Sequence, residues 1–239
     1  MRSEDARARP RSMAWLRGLL FDLDGVLIDS LASIAGCMNY ALAAMGRPEL
    51  TLAGVRPLVG PPLEDNAPRL LGSSEPAQVE AFAALYRRRY AETCVQETTP
   101  APGLHAVLAT LSERWPLAVA TNKPEVFALQ ILAGLGVARH FERGGIHGRS
   151  FALDHGGKAE VIARAMRVIG GPEGLVMIGD REHDVLGAAV HGVPTIGVLH
   201  GMGSRAELEA AGARWIAADL LALPDLLARI DSDSRPASL

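Results

Sequence analysis

The second half of the chain alternates short, almost wholly apolar segments with longer segments of helical periodicity. Strands are predicted at 117–120, 141–146, 175–178, 195–198 and 214–217, in addition to a first strand at 16–21. Helices are predicted between and after them, at 104–114, 125–135, 158–169, 185–191, 205–211 and 220–229. Apolar strands that alternate with helices form parallel sheets with helices on both faces. The pattern therefore predicts an α/β fold with a doubly wound parallel sheet.

Polar side chains follow three of these predicted strands at the point where each strand ends. Asp22 and Asp24 follow the first, Thr121 and Asn122 the second, and a segment that begins with Asp180 the fourth. Right-handed crossover connections bring the carboxyl ends of parallel strands to one edge of the sheet, where ligands bind in such folds. The sequence therefore predicts one site at that edge.

Asp22 and Asp24 stand one residue apart and are followed by Gly25. Alternate residues of an extended chain point to the same side, so the two carboxylates converge. An aspartate can attack a phosphoryl group and form an aspartyl-phosphate, and Asp22 is the candidate nucleophile. Asp24 is the candidate acid/base, which protonates the leaving oxygen and later deprotonates water. The alternative for this segment is an acidic turn, since Asp and Gly both favour turns.

Asp180 and Asp184 bring further carboxylates to the same edge. Oxygen ligands that converge on one point suit Mg²⁺, which would also lower the repulsion between Asp22 and an anionic phosphate. Mg²⁺ is therefore the predicted cofactor. The alternative is that Asp180 and Asp184 serve a turn and a helix N-cap, because a helix is predicted to start near Asp184.

Three further residues are candidates for binding phosphate. The hydroxyl and amide of Thr121 and Asn122 follow a strand directly, and a lysine, Lys158, opens a predicted helix. The alternatives are a helix cap for the pair and a solvated lysine. Lys123 is ranked below Lys158, and His183 is predicted to be a surface histidine.

Residues 31–98 differ from the rest of the chain. They are rich in alanine, show helical spacing, and are divided by turn residues into several short helices. The Pro-rich connector at 99–103 marks a domain boundary. We therefore predict an α/β core at 15–30 and 99–230, a helical cap at 31–98, a disordered extension at 1–14 and a flexible tail at 231–239.

Composition excludes several classes of protein. The net charge of −3 gives no electrostatic footprint for nucleic acid or an anionic membrane. No apolar stretch approaches the roughly 18 residues of a membrane-spanning helix, and no secretory signal is evident. Cys37 and Cys94 are the two cysteines and lack metal or redox spacing. These features predict a cytoplasmic protein with reduced thiols.

The motifs together resemble those of the haloacid-dehalogenase-like phosphatase superfamily. Asp22–Leu23–Asp24–Gly25 is similar to its first motif, Thr121–Asn122 to the second, Lys158 to the third, and Gly179–Asp180 with Asp184 to the fourth. The block at 31–98 resembles the family's mobile cap. The segments Val59–Gly60–Pro61–Pro62–Leu63 and Ala120–Thr121–Asn122–Lys123–Pro124 resemble the phosphoglycolate-phosphatase-like branch.

The resemblance implies a role for each site residue. Asp22 would be nucleophile and Mg²⁺ ligand, and Asp24 the acid/base, with its backbone carbonyl on the metal. Asp180 would be a direct ligand and Asp184 an outer one. The residues that would hold the phosphate are Thr121, Asn122 and Lys158.

The expected function is Mg²⁺-dependent hydrolysis of a small phosphorylated metabolite through an aspartyl-phosphate. Phosphoglycolate, a nucleotide and a sugar phosphate all remain possible substrates, and the protein is expected to be a monomer or homodimer. Two alternatives stay open: a phosphomutase of the β-phosphoglucomutase type, and a phosphate-binding module without turnover. The predicted partner is the small metabolite, with neither nucleic acid nor a membrane.

Overall fold

A parallel sheet lies at the centre of the fold in the computed structural model, which describes residues 16–150 and 157–233. In chain order the strands of the described residues are β1 (Gly18–Phe21), β2 (Ile28–Asp29), β3 (Thr99–Pro100), β4 (Leu117–Pro124), β5 (Ile146–Arg149), β6 (Leu175–Gly179), β7 (Thr195–Val198) and β8 (Trp215–Ala217). Six of them form one parallel sheet in the order β5-β4-β1-β6-β7-β8. The predicted parallel sheet is thus confirmed.

Helices cover both faces of this sheet and form the block between β2 and β3. Over the same residues they are α1 (Leu31–Ala44), α2 (Leu52–Val55), α3 (Leu63–Leu71), α4 (Pro76–Thr93), α5 (Leu104–Ser112), α6 (Glu125–Gly134), α7 (Gly157–Ile169), α8 (Glu182–Ala189), α9 (Arg205–Ala211) and α10 (Leu223–Asp233). Short 3-10 helices occur at Arg56–Leu58, Ala138–His140 and Leu220–Ala222.

The central strand β1 explains why the sheet needs two covering layers. All four of its residues are buried, and alternate residues face opposite sides. Leu19 and Phe21 belong to a large core on one side, whereas Leu20 packs into a second core with residues of α7, among them Val161 and Ile162. Burial on both faces is what a parallel strand between two helical layers requires.

The helical cap has an apolar core of its own. Ala41 and Leu42 of α1, Ala67 and Leu71 of α3, and Phe82 of α4 form this separate buried cluster. The chain enters and leaves the cap through β2 and β3, which pair antiparallel. A two-stranded junction of this kind holds the cap at the sheet edge where β1 ends.

Several predicted boundaries differ from those in the structure. The strand predicted at 141–146 forms at Ile146–Arg149 instead, because the chain first makes a 3-10 turn at Ala138–His140 and a positive-φ turn at Gly144. β4 runs four residues beyond the predicted end at Ala120, with a shift of register before Pro124. The helix predicted from Val185 begins at Glu182.

Helix α10 extends to Asp233, so the tail predicted at 231–239 overlaps its last turn. The Asp231 carboxylate is buried and lies 3.5 Å from Arg114, in the turn that follows α5, which favours helix up to that point. The extension predicted at 1–14 lies outside the described residues. In the part of the chain that is described, no helix combines the length and hydropathy needed to cross a membrane.

Candidate active site

A cavity of about 770 Å³ opens between the carboxyl edge of the sheet and the cap. Asp22 follows β1 directly, Asp180 follows β6, and Thr121 lies in the second half of β4. The cavity is lined by all seven predicted site residues, which are Asp22, Asp24, Thr121, Asn122, Lys158, Asp180 and Asp184. Because β1 lies between β4 and β6, the three strand ends converge there.

Three carboxylates form the floor of this cavity. One oxygen from each of Asp22, Asp180 and Asp184 lies within 4.8 Å of the others. Asp180 is fully buried, and its Oδ2 accepts a 2.6 Å hydrogen bond from the backbone N–H of Met202. Its Oδ1 is also buried and has no hydrogen-bond partner among the described residues. That oxygen is therefore available to a ligand.

Asp184 lies at the third residue of α8 and turns back toward the helix start. Its Oδ2 accepts the backbone N–H groups of both Asp180 and Arg181 at 3.1 Å. Asp184 thus does serve the helix N-terminus, as the alternative interpretation held, but its Oδ1 faces the carboxylate cluster, where Lys158 Nζ lies 2.6 Å away. The two uses are compatible because each occupies one oxygen.

Burial and mutual repulsion perturb the cluster. Burial raises the pKa of Asp180 well above its usual value, and the charges of Asp184 and Asp22 add to this rise. Burial also raises the pKa of Asp184, although Lys158 opposes the rise. Three carboxylates around one buried, unpartnered oxygen form a set that fits a hard divalent cation such as Mg²⁺.

Lys158 provides the positive charge on this side of the cavity. It is the second residue of α7, is buried, and places Nζ 2.7 Å from Asp22 Oδ1 in addition to its contact with Asp184. Burial alone lowers the pKa of Lys158, but the two carboxylates outweigh burial and raise it. An ammonium at a helix N-terminus is unfavourable in the helix dipole, and this carboxylate pair offsets that effect.

Thr121 and Asn122 differ in their surroundings. Thr121 is buried, and its Oγ1 accepts the backbone N–H of Lys123 at 3.2 Å. Asn122 Nδ2 donates to the backbone carbonyl of Gly60 in the cap at 3.2 Å, and its buried Oδ1 has no partner in the described part of the chain. Asn122 therefore links the core to the cap at Gly60.

Asp24 is held by two residues outside the predicted site, Ser30 and Lys123. Ser30 donates its hydroxyl proton to Asp24 Oδ1, and Lys123 Nζ lies 3.0 Å from Asp24 Oδ2. Lys123 Nζ also donates to the Tyr90 hydroxyl on α4 at 2.6 Å. Lys123, which is ranked below Lys158 as a candidate for binding phosphate, therefore forms a buried ion pair with the candidate acid/base.

A sequence signal for Lys123 did exist. The chain contains two lysines, Lys123 and Lys158, among 24 lysine and arginine residues. All the other residues in that count are arginines. A lysine in such a sequence therefore indicates a position where a compact ammonium is needed in place of a guanidinium. Both are buried beside a carboxylate of the candidate site.

Two arginines tie the cap to the loops around Asp180. Arg56 donates to the backbone carbonyl of Gly201 at 2.9 Å, and Arg181 donates to that of Val59 at 2.7 Å. Arg56 belongs to the cap and contacts the core through this bond. His183, predicted as a surface histidine, is half-buried and lines the cavity.

Comparison with known proteins identifies the family. The family model for haloacid dehalogenase-like hydrolases matches residues 19–198. A protein named 5'-nucleotidase from Pseudomonas aeruginosa is 38% identical over 211 residues, which cover 87% of this chain and 94% of that protein. A phosphoglycolate phosphatase from Agrobacterium fabrum is 32% identical over 187 residues, which cover 76% of this chain and 80% of the relative.

Other similar proteins include one named as a kinase and one described as a predicted phosphatase. A tyrosine-protein kinase, PtkA, from Mycobacterium tuberculosis is 39% identical over 77% of this chain, which spans 62% of that relative. A crystal structure described as a predicted phosphatase from Clostridium acetobutylicum is 32% identical, with a TM-score of 0.81 over 91% of this chain and 99% of the other. These matches confirm the resemblance inferred from the motifs and the Rossmann-like core with its inserted cap. The chain belongs to the haloacid dehalogenase-like hydrolase family.

Proposed function

We propose that this enzyme is a Mg²⁺-dependent phosphomonoesterase that hydrolyses a small phosphorylated metabolite through an aspartyl-phosphate. The observation that carries the proposal is the meeting of Asp22, Asp24, Asp180 and Lys158 at one cavity, beside a buried carboxylate oxygen that lacks a partner. Relatives named phosphoglycolate phosphatase and 5'-nucleotidase support the same reaction class.

In the first half-reaction, a carboxylate oxygen of Asp22 attacks the phosphorus atom. The bond between phosphorus and the leaving-group oxygen breaks, and Asp24 donates its proton to that oxygen. The products of this step are an alcohol and a phosphoryl group on Asp22. Asp24 is left ionised, in the form whose two oxygens can accept from Ser30 and Lys123.

In the second half-reaction, water takes the place of the departed alcohol. Asp24 removes a proton from this water as its oxygen attacks the phosphorus atom. The bond between phosphorus and Asp22 breaks, inorganic phosphate leaves, and both aspartates return to their starting states. One carboxyl group therefore serves as acid and then as base.

The carboxylate cluster is the proposed metal site. Asp22, Asp180 and the backbone carbonyl of Asp24 would hold Mg²⁺ directly, with Asp184 as an outer ligand. When bound, the ion supplies positive charge that permits an anionic phosphate to approach the Asp22 carboxylate. The unpartnered Oδ1 of Asp180 and the raised pKa of Asp180 support this assignment.

Phosphate oxygens would be bound opposite the carboxylates. Lys158 supplies the ammonium, and Thr121 and Asn122 supply a hydroxyl and an amide at the end of β4. The cap closes the cavity from above and excludes water, which strengthens each of these interactions. Its apolar lining, which includes Leu58, Val59 and Pro61, would contact the part of the substrate that carries the phosphate.

The test is phosphate release by the purified protein, with Mg²⁺ and with EDTA. The substrate panel contains phosphoglycolate, nucleoside 5'-monophosphates and hexose phosphates. The Asp22→Asn variant is assayed on the same panel. We expect release that requires Mg²⁺ and is lost in Asp22→Asn, whereas substitution of the exposed Asp225 by Asn leaves it unchanged. Full turnover by Asp22→Asn would rule out the proposed nucleophile.

The same panel separates the two alternatives that the motifs leave open. A phosphomutase would convert one hexose phosphate isomer into another and release little phosphate. A binding module would retain phosphate esters without either product. Transfer of radiolabelled phosphate to a sugar, measured beside phosphate release, distinguishes these outcomes from hydrolysis.

A further inference from the structure

One cap residue that lines the cavity contacts a side chain beside the candidate acid/base. Tyr90, on α4, is 1% exposed, and its ring packs edge-on against Phe127 of α6 at a centroid distance of 5.0 Å. Its hydroxyl accepts a 2.6 Å hydrogen bond from Lys123 Nζ. The same ammonium lies 4.7 Å from the centroid of the Tyr90 ring. Tyr90 therefore holds the Lys123 ammonium from the cap side.

The other side of the Lys123 ammonium faces Asp24. Nζ lies 3.0 Å from Asp24 Oδ2, and Ser30 donates to the second oxygen of the same carboxylate. Two donors on two oxygens leave the carboxylate plane little freedom to rotate. Two buried contacts, Tyr90 to Lys123 and Lys123 to Asp24, therefore connect the cap helix α4 to the candidate acid/base.

We propose that Lys123 is a positioning residue that fixes the Asp24 carboxylate for proton transfer, and that Tyr90 fixes Lys123 from the cap. The inference rests on the proposed function, because it assigns the proton-transfer role to Asp24. It adds to that function a contribution of the cap to acid–base geometry, beyond the enclosure of substrate.

The chemistry explains why one orientation of Asp24 is enough. The leaving oxygen and the later attacking water both lie in line with Asp22, on the far side of the phosphorus atom. A carboxylate fixed toward that position can donate to the first oxygen and accept from the second. Lys123 places its charge against Asp24 and one N–H on Tyr90, and the proposal assigns its effect to Asp24 and not to contact with the substrate.

Stability alone does not explain this arrangement. A buried ion pair is on average no more stabilising than apolar side chains of similar volume. Apolar residues are accommodated in the same cavity, since Ile34, Met38 and Phe127 also line it, and Phe127 contacts Tyr90. Burial raises the pKa of the Tyr90 hydroxyl, which therefore stays protonated and neutral as an acceptor.

The test uses the dependence of kcat/KM on the leaving group. An alkyl phosphate needs a proton from Asp24 as the alcohol departs, whereas p-nitrophenyl phosphate releases a stable anion without one. We expect Lys123→Met to lower kcat/KM about 100-fold on the alkyl substrate, and Tyr90→Phe about tenfold, within the range of general acid catalysis. On the aryl substrate both variants should stay within about threefold of the unchanged enzyme, as Asp24→Asn should.

A double mutant tests whether Tyr90 acts through Lys123. If Tyr90 acts only through Lys123, Tyr90→Phe should have no further effect in the Lys123→Met background. The matched control is Tyr40→Phe, since Tyr40 also accepts a hydrogen bond from a cation, Arg88, but on the exposed surface of the cap. It should behave like the unchanged enzyme on both substrates.

Three results would overturn the inference. Equal losses on both substrates would indicate a structural role or direct binding of phosphate by Lys123. A persistent Tyr90→Phe effect in the Lys123→Met background would indicate a direct role for the hydroxyl. Unchanged kinetics in both single variants would remove the role altogether. Absence of Mg²⁺-dependent release by the unchanged protein, in contrast, would overturn the proposed function together with this inference.

Discussion

Gly25 packs directly against the Asp180 carboxylate, so closely that a Cβ atom on Gly25 would collide with Asp180 Oδ2. Gly25 also has a φ of +82°, in the left-handed region that side chains avoid. We expect Gly25→Ala to displace Asp180 and raise the Mg²⁺ concentration needed for half-maximal activity at least tenfold. Activity measured across a Mg²⁺ titration checks this.

The control for this variant separates backbone strain from collision. Gly46 has a φ of +66° at the end of α1, and a Cβ atom there would meet nothing within 4 Å. Gly46→Ala should lower the free energy of unfolding by about 1–2 kcal/mol from backbone strain alone and leave the Mg²⁺ requirement unchanged. Equal Mg²⁺ requirements in the two variants would contradict the proposed packing of Gly25 on a metal ligand.

Removal of the Lys158 ammonium should destabilise the protein most when no metal is present. Lys158→Met leaves Asp22 and Asp184 without the charge that now lies within 2.7 Å of each. We expect a loss of about 3 kcal/mol in the free energy of unfolding in EDTA, the size found when one partner of a buried pair is removed. Denaturant titrations in EDTA measure it.

Mg²⁺ should recover much of that stability in Lys158→Met without restoring turnover. A ligand at 100 times its Kd stabilises the folded state by about 2.7 kcal/mol. Phosphate release should stay at least 100-fold below that of the unchanged enzyme, since the phosphate loses its ammonium partner. A Lys158→Met enzyme with normal kcat would contradict the role of Lys158 in phosphate binding.

The pH dependence of stability in EDTA should reflect Asp180 and Asp184. Burial raises the pKa of both groups in the folded state. In the unfolded chain the pKa of an Asp is about 3.9. The folded protein then binds more protons, so its free energy of unfolding falls as pH rises from about 4 through the raised pKa values. Stability measured at a series of pH values in EDTA checks this sign.

Asp180→Asn and added Mg²⁺ provide the two controls for that slope. The substitution removes the group with the strongly raised pKa and should flatten the decline, whereas Asp225→Asn on the surface should not. Mg²⁺ competes with protons for the same carboxylates, so its stabilising effect should grow as pH rises. A decline that is identical in Asp180→Asn would assign the slope to other groups.

Arg56 should matter for substrate affinity through the cap. Its guanidinium binds the Gly201 carbonyl in the loop beside Asp180 and so favours a docked cap. A charged hydrogen bond is worth about 1.5 kcal/mol or more, so Arg56→Met should raise KM about tenfold with a smaller change in kcat. Arg205→Met, which breaks an exposed pair with Glu209, is the matched control, and an unchanged KM in Arg56→Met would exclude cap docking by this contact.

The sequence predicts that the carboxylates lie together at one edge of the sheet, because their signal is local. Asp22 and Asp24 follow an apolar strand within three residues, and Asp180 follows another, so periodicity and fold topology together place them at one edge. For Lys123 the sequence offers only the rarity of lysine and no sign of its partner, because Asp24 is distant in sequence and only the pairing of β1 with β4 brings the two strand ends together. Ser30 and Tyr90 gain their roles from tertiary contacts in the same way.

The predicted strand boundaries were wrong where the local preference of the residues and the pairing of the strands disagree. The segment from Phe141 to Ile146 begins and ends with residues that favour strands, but it contains two glycines, and Gly144 makes the chain turn. Only the partner strand β4 decides that pairing starts at Ile146. β4 itself continues past Thr121 because its backbone pairs with β5 as far as Pro124. The hydrophobicity of the sequence does not reveal this pairing.

The placement of the two lysines makes this protein unusually suited to spectroscopy. Both ε-ammonium groups lie within 3.0 Å of a carboxylate in the cavity, and no other lysine is present in the chain. Protein labelled with ¹⁵N or ¹³C at lysine side chains would therefore give two NMR signals, each from inside the candidate site. The Lys158 signal would report events at the metal and phosphate, and the Lys123 signal would report contact between cap and core.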